Sequence, residues 1–429
     1  MQQLRTRRMP PASAIDTAEA VELRPLGALE NLVAAYAEAA SITFSVMAEI
    51  EGEIRPAEAE IALTAVQARH PLLGVGIRRN AAGRRSFVRS GGPIPLDVLA
   101  PGVVSWQEVA GLEIRRRFDV ENGPLLQVSL LPEARSTRLF FTFHHSMSDG
   151  KSAVFLIRDF LQALNGQGLD PFLDADSMDQ RLAALELPES EASADGEPTS
   201  SSPAGAPAEN RWGRGMDRRP IVTTRTVVPT LARRLREVAR FHDTTVHAAL
   251  SVALARAVGA LKGAIDPVRI LSPVDHRAAM GTEDECGFFA SVGNTAVAPN
   301  GNAFWDEARK ARAALEPFAS AVAARQMIAA MAAHSAADDT PEGARRFLGA
   351  FDFDLTLTNL GVLPIAAKVG RHRIKSIVGP IVLASVEGEQ VIGVATLEGR
   401  MQLVHTSVDP LDGLLELTEG QLEAACVAW

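Results

Sequence analysis

The sequence predicts a mixed α/β protein built as two similar lobes joined by a flexible crossover. Three observations carry that expectation. Strand-like and helix-like segments alternate in both halves of the 429 residues. A stretch that no core would accept lies near the middle, at Glu189 to Ala208, reading ESEASADGEPTSSSPAGAPA. Hydrophobic residues make up 47% and charged residues 22%, enough for a core in each half. The expected division is a first lobe at 1–188, a linker or crossover loop at 189–210 and a second lobe at 211–429. Small and polar side chains in the linker cannot offset its ordering entropy by burial.

In the first lobe, Ile42, Phe44, Val46, Ala48 and Ile50 alternate with Thr43, Ser45, Met47 and Glu49. A period of two predicts a strand buried on one face. A helix is expected after Pro56, ending at Arg69-His70-Pro71. Gln127 to Leu131 and Arg138 to His145 read as strands. Ala153 to Leu164 reads as a helix, with Val154, Ile157, Phe160, Leu161 and Leu164 on one stripe.

The second lobe repeats the mixture. Leu231 to Phe241 and Val246 to Leu261 read as helices, the latter apolar nearly all round and therefore buried. Val268 to Pro273 reads as a short strand. Asp306 to Ala324 and Gln326 to His334 read as helices. Phe351 to Leu357, Ile374 to Val378, Gln390 to Leu397 and Met401 to Ser407 read as strands. No solenoid period of 20–50 residues is present.

Composition removes several function classes. With 43 Lys+Arg against 52 Asp+Glu, the net charge of −9 gives no global attraction to nucleic acid or an anionic membrane. Aromatic residues are 5%, too few for base-stacking platforms. Two cysteines, Cys286 and Cys426, build neither a disulfide framework nor a thiolate zinc site. No segment reaches about 20 uninterrupted apolar residues, and residues 1–20 lack the apolar core of a secretory signal. A cytoplasmic location is expected, with an organellar transit peptide as the alternative suggested by Arg5, Arg7 and Arg8.

The chemistry concentrates in Phe140-Phe141-Thr142-Phe143-His144-His145-Ser146-Met147-Ser148-Asp149-Gly150. An apolar strand runs into two histidines, a short turn, and an Asp-Gly opening a helix. Consecutive strand residues face opposite sides, so His144 and His145 point at different targets. Three readings compete. A metal site needs His144, His145 and Asp149 to converge, which strand geometry opposes. A structural reading makes both histidines satisfied strand-end residues. The third is a general-base histidine at the strand end, with Asp149 bracing the turn as a helix cap.

The run His144-His145-Ser146-Met147-Ser148-Asp149-Gly150 resembles the HHxxxDG motif of the condensation-domain superfamily. That superfamily includes chloramphenicol acetyltransferase, plant alcohol acyltransferases, peptide-synthetase condensation domains and stand-alone polyketide-associated acyltransferases. Flanking segments resemble it in order: Arg24-Pro25-Leu26 with Glu30, Arg69-His70-Pro71-Leu72-Leu73, Phe118-Asp119-Val120 with Gly123-Pro124-Leu125. Thr244-Thr245-Val246-His247-Ala248, Pro273-Val274-Asp275-His276-Arg277 and Thr358-Asn359-Leu360-Gly361 follow in the second half. The aromatic Asp-Phe-Gly-Trp-Gly motif of the plant branch is absent; Asp352-Phe353-Asp354 is only an echo.

The resemblance implies two chloramphenicol acetyltransferase-like lobes, each a sheet flanked by helices, with a tunnel between them. It implies that His145 takes a proton from an alcohol or amine attacking an acyl thioester. The donor is coenzyme A or a carrier-protein phosphopantetheine arm, with no covalently bound cofactor and no metal. Asp149 is expected to be architectural, with Arg277 as its partner, and Gly150 to keep the tunnel floor open. His144 is expected to be structural. Ser146 or Ser148 offers a hydroxyl near the reaction, although turn serines most often cap helices. Thr358 and Asn359 are oxyanion or tunnel candidates on a loop after a strand, although Asn-x-Gly is also ordinary turn chemistry.

Basic residues on an acidic chain are candidates for donor docking. They are Arg211, Arg214, Arg218 and Arg219 with Arg233, Arg234, Arg236 and Arg240, and separately Lys368, Arg371, Arg373 and Lys375. The bland alternative for each is a solvated face. The expected reaction is ester formation on an alcohol of a lipid or secondary metabolite. Alternatives are amide formation on an amine, a wax-ester or diacylglycerol synthase, and a non-catalytic condensation-like binding protein. No nucleic-acid partner is expected, and a monomer suffices for one active site.

Overall fold

The Phe- and Leu-rich run before His145 forms the strand Ser136–His144. It pairs antiparallel with Thr43–Glu51 on one side and Leu126–Pro132 on the other. The computed structural model describes residues 5–8, 21–186, 211–214, 218–263, 265–282, 284–301 and 303–427. The crossover expected at 189–210 lies outside the described residues.

Two larger sheets carry the fold. The first has seven strands, in the order Arg5–Arg8, Leu96–Leu99, Leu126–Pro132, Ser136–His144, Thr43–Glu51, His372–Val382, Lys368–Val369. The second has six, in the order Ala290–Val297, Val268–Asp275, Leu355–Val362, Val391–Leu397, Arg400–Ser407, Ile221–Val227. A small sheet of Glu22–Pro25, Arg85–Arg89 and Val75–Arg79 sits beside the first.

Helices cover each sheet where the apolar periodicity requires it. Pro56–Arg69 and Gly150–Leu164 pack on the first, burying Leu63, Val66, Val154, Ile157 and Phe160 with Val46 and Phe141. Val246–Lys262 lies under the second sheet, sharing a core with Pro229–Phe241, Phe304–Leu315 and Leu414–Val427. Its burial suits its nearly continuous apolar surface. Among the described residues no single helix is long and apolar enough to cross a membrane.

Several expectations change in the fold. The lobe division does not hold for the sheets, because His372–Val382, from the second half, adds to the first sheet beside Thr43–Glu51. Thr43–Glu51 is consequently central rather than half-buried. Its Met47 packs against Val109, Val222 and Val404, between the two sheets. The sheets touch where Pro380 meets Val391–Leu397. A Cβ at Gly393 would lie 2.3 Å from the Pro380 carbonyl oxygen, so only glycine permits that approach.

The helix expected over Asp306 to Ala324 ends at Leu315. Pro317 sits in a 3₁₀ turn, Glu316–Ala319, because proline removes a helical donor. Ser320 then caps Ala321–Ala337, its side chain accepting from Ala323 N. The strand expected over Phe351 to Leu357 instead runs Leu355–Val362. Asp352 and Asp354 before it are occupied by the Arg269 guanidinium.

Candidate active site

The motif strand ends where the His145 amide donates to the Ile42 carbonyl at 3.1 Å. The two histidines then diverge. His144 turns into the first lobe, sharing a 2.6 Å hydrogen bond between Nδ1 and Ser146 Oγ, with Phe118 edge-on. Burial, helped by neighbouring His145, pushes its pKa down to about 4. From His144 to Asp149, His145 alone is half-buried, keeping part of its surface open to solvent while the others are buried.

His145 Nδ1 donates to the Ser148 carbonyl at 2.9 Å. A carbonyl only accepts, so in the neutral ring the lone pair resides on Nε2. Nε2 has no hydrogen-bond partner among the described residues. Phe288 stacks on the ring, centroids 4.9 Å apart and 16° from parallel, and Phe44 lies tilted on it at 4.7 Å. Burial lowers the His145 pKa against the opposing pull of the Ser148 carbonyl and Asp149. A neutral imidazole near pH 7, held in one tautomer, is the form a general base requires.

Asp149 caps the helix Gly150–Leu164, its Oδ1 accepting from Ser152 N at 2.9 Å. Arg277 grips both carboxylate oxygens, at 2.7 and 2.9 Å, and Phe289 N donates to Oδ2 at 3.0 Å. Burial alone would push this carboxyl up; the guanidinium and amides outweigh it and hold it below its ordinary value. Arg277 also donates to Ser152 Oγ and to Asp275. Every one of these groups braces the turn, and none of them bonds to the His145 ring. A metal reading fails on the same contacts, since His144 faces Ser146 and Asp149 is saturated.

The Ser148 hydroxyl donates to the Asp149 carbonyl at 3.4 Å, so Ser148 serves His145 through its backbone rather than its hydroxyl. Gly150 has a different role from an open floor. A Cβ there would meet Pro380 Cγ at 2.7 Å and Leu360 Cδ2 at 2.9 Å, so the glycine lets the helix start press against both. Thr358 and Asn359 are not on a loop. They lie within Leu355–Val362, opposite Gly393 and Val394, and Asn359 Oδ1 accepts from Gly361 N at 2.8 Å. Neither bonds to His145.

Sequence reasoning missed the segment that covers His145. Residues 284–289, from the second half, are pinned to first-lobe side chains. Arg158 pairs with Asp284 at 2.7 Å and Arg181 with Glu285 at 2.9 Å. Cys286 N donates to His70 Nδ1 at 3.4 Å, while His70 Nε2 pairs with Asp159 at 2.9 Å. Ser152 Oγ donates to the Gly287 carbonyl at 2.8 Å. Phe288 is thereby set across the imidazole. Buried Cys286, 3.9 Å from Ser148 Oγ, has its thiol pushed up to about 12 by burial and is inert.

Residues 35–170 match the family model of the condensation domain. Curated relatives include tyrocidine synthase 3 of Brevibacillus parabrevis, 32% identical over 28% of this chain. Chondramide synthase of Chondromyces crocatus is 30% identical over 30% of it. The chain spans only 2% and 4% of those proteins' lengths. Among solved structures, the first condensation domain of the calcium-dependent antibiotic synthetase superposes with a TM-score of 0.67. It is 14% identical, with 94% of this chain and 96% of that chain covered. The fold is that of the condensation-domain superfamily. Stand-alone members share it. Polyketide synthase associated protein 5 of Mycobacterium tuberculosis has a TM-score of 0.63 at 17% identity, covering 95% and 99% of the two chains. Trichothecene 15-O-acetyltransferase from Fusarium sporotrichioides has a TM-score of 0.63 at 11% identity, covering 99% and 98%.

Proposed function

We propose that the chain transfers an acyl group from a thioester, on coenzyme A or a carrier-protein phosphopantetheine arm, to an alcohol. The observation that carries this reading is His145, whose Nδ1–H is committed to the Ser148 carbonyl and whose Nε2 is left unpartnered. Nε2 accepts the hydroxyl proton as the oxygen attacks the thioester carbonyl carbon. The tetrahedral intermediate then expels sulfur, and the imidazolium returns that proton to the departing thiolate. Holding both substrates in line beside a fixed base supplies much of the rate. A lipid or secondary-metabolite alcohol suits the fold's O-acetyltransferase neighbour. A cytoplasmic setting is consistent with the thioester donors.

The condensation-domain match over residues 35–170 favours a second reading of the acceptor, an amine giving an amide. The same base serves both. Purified protein is incubated with acyl-coenzyme A and acyl-pantetheine donors, each with simple alcohols and amines. Free thiol and product mass are followed. Ester with thiol supports the first reading and amide with thiol the second. No thiol from any donor, alongside tight acyl-thioester binding, would leave a non-catalytic binding protein.

A further inference from the structure

We propose that a cavity between the two sheets, at the end of the strands away from His145, binds a small hydroxylated anion of the sugar-phosphate class. It measures about 250 Å³, room for on the order of twenty water molecules. Glu49, Arg138 and Lys375 line it from the first sheet, and Thr224, Arg400 and Gln402 from the second. Glu49 stands opposite Arg138 in the register that sets Thr43 opposite His144. Six residues of extended chain, roughly 20 Å, therefore separate the cavity from the turn that holds His145. On its apolar side, Met47 and Val378 belong to the core that also holds Phe140 and Ile381. The site is distinct from the acyl-transfer centre.

The lining is rich in donors and poor in acceptors. Arg400 makes no side-chain hydrogen bond or ion pair among the described residues, and neither hydroxyl of Thr224 and Ser376 has a partner there. Gln402 Oε1 accepts from Thr226 Oγ1 at 2.9 Å, which leaves the Gln402 amide nitrogen unpartnered. Arg138 Nε is buried without a partner. The Trp106 indole, which lies 5.5 Å beneath the Arg138 guanidinium, closes one wall and offers no acceptor.

Glu49 is the one carboxylate in the wall, and it already accepts from Lys375 at 2.6 Å and from Arg138 at 3.1 Å. Burial alone would push it up; the two cations outweigh that and hold it below its ordinary value. Arg138 also pairs with Glu133. Three cations thus meet two carboxylates, and the surplus charge is that of Arg400. A phosphate set against Arg400 and the Arg138 Nε–H answers that charge and a buried orphan donor together. Thr224, Ser376 and the Gln402 amide are neutral groups suited to exchanging hydrogen bonds with sugar hydroxyls. Because Arg138 and Lys375 belong to one sheet and Arg400 and Gln402 to the other, an occupant bridges the two and stabilises their docked arrangement.

Calorimetric titration of the full chain with glucose 6-phosphate, glucose and inorganic phosphate tests the site. It needs no turnover, so its outcome is independent of the acyl-transfer reading. Glucose 6-phosphate is expected to bind about tenfold or more tighter than either glucose or inorganic phosphate, and to raise the melting temperature. Arg400→Gln changes an exposed side chain without partners, so the melting temperature of the free protein should hold. In that variant the affinity for glucose 6-phosphate should fall to that for glucose. Ser376→Ala should weaken the sugar phosphate about threefold or more and leave inorganic phosphate unchanged. Three results would each overturn the proposal: equal binding of glucose and glucose 6-phosphate by the unaltered chain, inorganic phosphate bound as tightly as the sugar phosphate, or an affinity that Arg400→Gln leaves untouched.

Discussion

Phe288 stacks on His145 although the two residues come from opposite halves of the chain, with ring centroids 4.9 Å apart. The contact desolvates the imidazole and fixes its plane, while the Ser148 carbonyl fixes its tautomer. Position, protonation state and orientation of one ring therefore depend on both halves being docked.

The pH dependence of activity follows from that burial. A base whose pKa lies below the histidine value of 6.5 is already neutral at pH 7. The rate should be flat across neutral pH and fall on acidification, with its midpoint below 6.5. Phe288→Ala opens the ring to water and moves the midpoint up toward the ordinary value. A profile of kcat/KM against pH for both proteins measures this; coincident midpoints would deny Phe288 its influence.

Acid should also loosen the fold. His144 and His405 are buried and His247 is half-buried, each with its pKa pushed down to about 4 chiefly by desolvation. Between pH 6.5 and 4 the unfolded chain binds protons that the folded chain refuses, so stability falls as pH falls. Each histidine contributes on the order of 3 kcal/mol by pH 4. Urea midpoints recorded at pH 7, 5.5 and 4.5 should decline steadily.

Arg277 holds Asp149 in a buried, bidentate pair. Arg277→Ala strands the carboxylate and should cost about 3–5 kcal/mol, read from denaturant unfolding. Arg277→Lys keeps the charge without the fork and should recover only part of the loss. A variant as stable as the parent would show that the pair braces nothing.

At Gly150, alanine is the better helix former, yet its Cβ would press on Pro380 and Leu360. Overpacking should dominate, lowering stability by about 1–3 kcal/mol. Thermal melting of Gly150→Ala decides the sign.

The motif was legible because its residues are contiguous and each obeys local rules: strand alternation separates the histidines, and Asp149 stands at an N-cap. Phe288 was not legible, since residues 284–289 carry no periodicity and reach His145 only through tertiary pairs such as Arg158–Asp284. The period of two at Ile42 to Ile50 revealed a strand but not its central place, which depends on His372–Val382 crossing from the other half. Thr358 and Asn359 were misplaced because Phe351 and Phe353 alternate like strand residues. The intervening acids instead bind Arg269, so pairing begins later.

The central claim is that His145 Nε2 removes the proton from the attacking nucleophile. The most direct measurement compares thiol release by the unaltered chain and His145→Gln, using the acyl-thioester donor that the unaltered chain turns over. The account predicts a loss of about 100-fold or more in kcat with the melting temperature retained. Release at an undiminished rate by His145→Gln would contradict it.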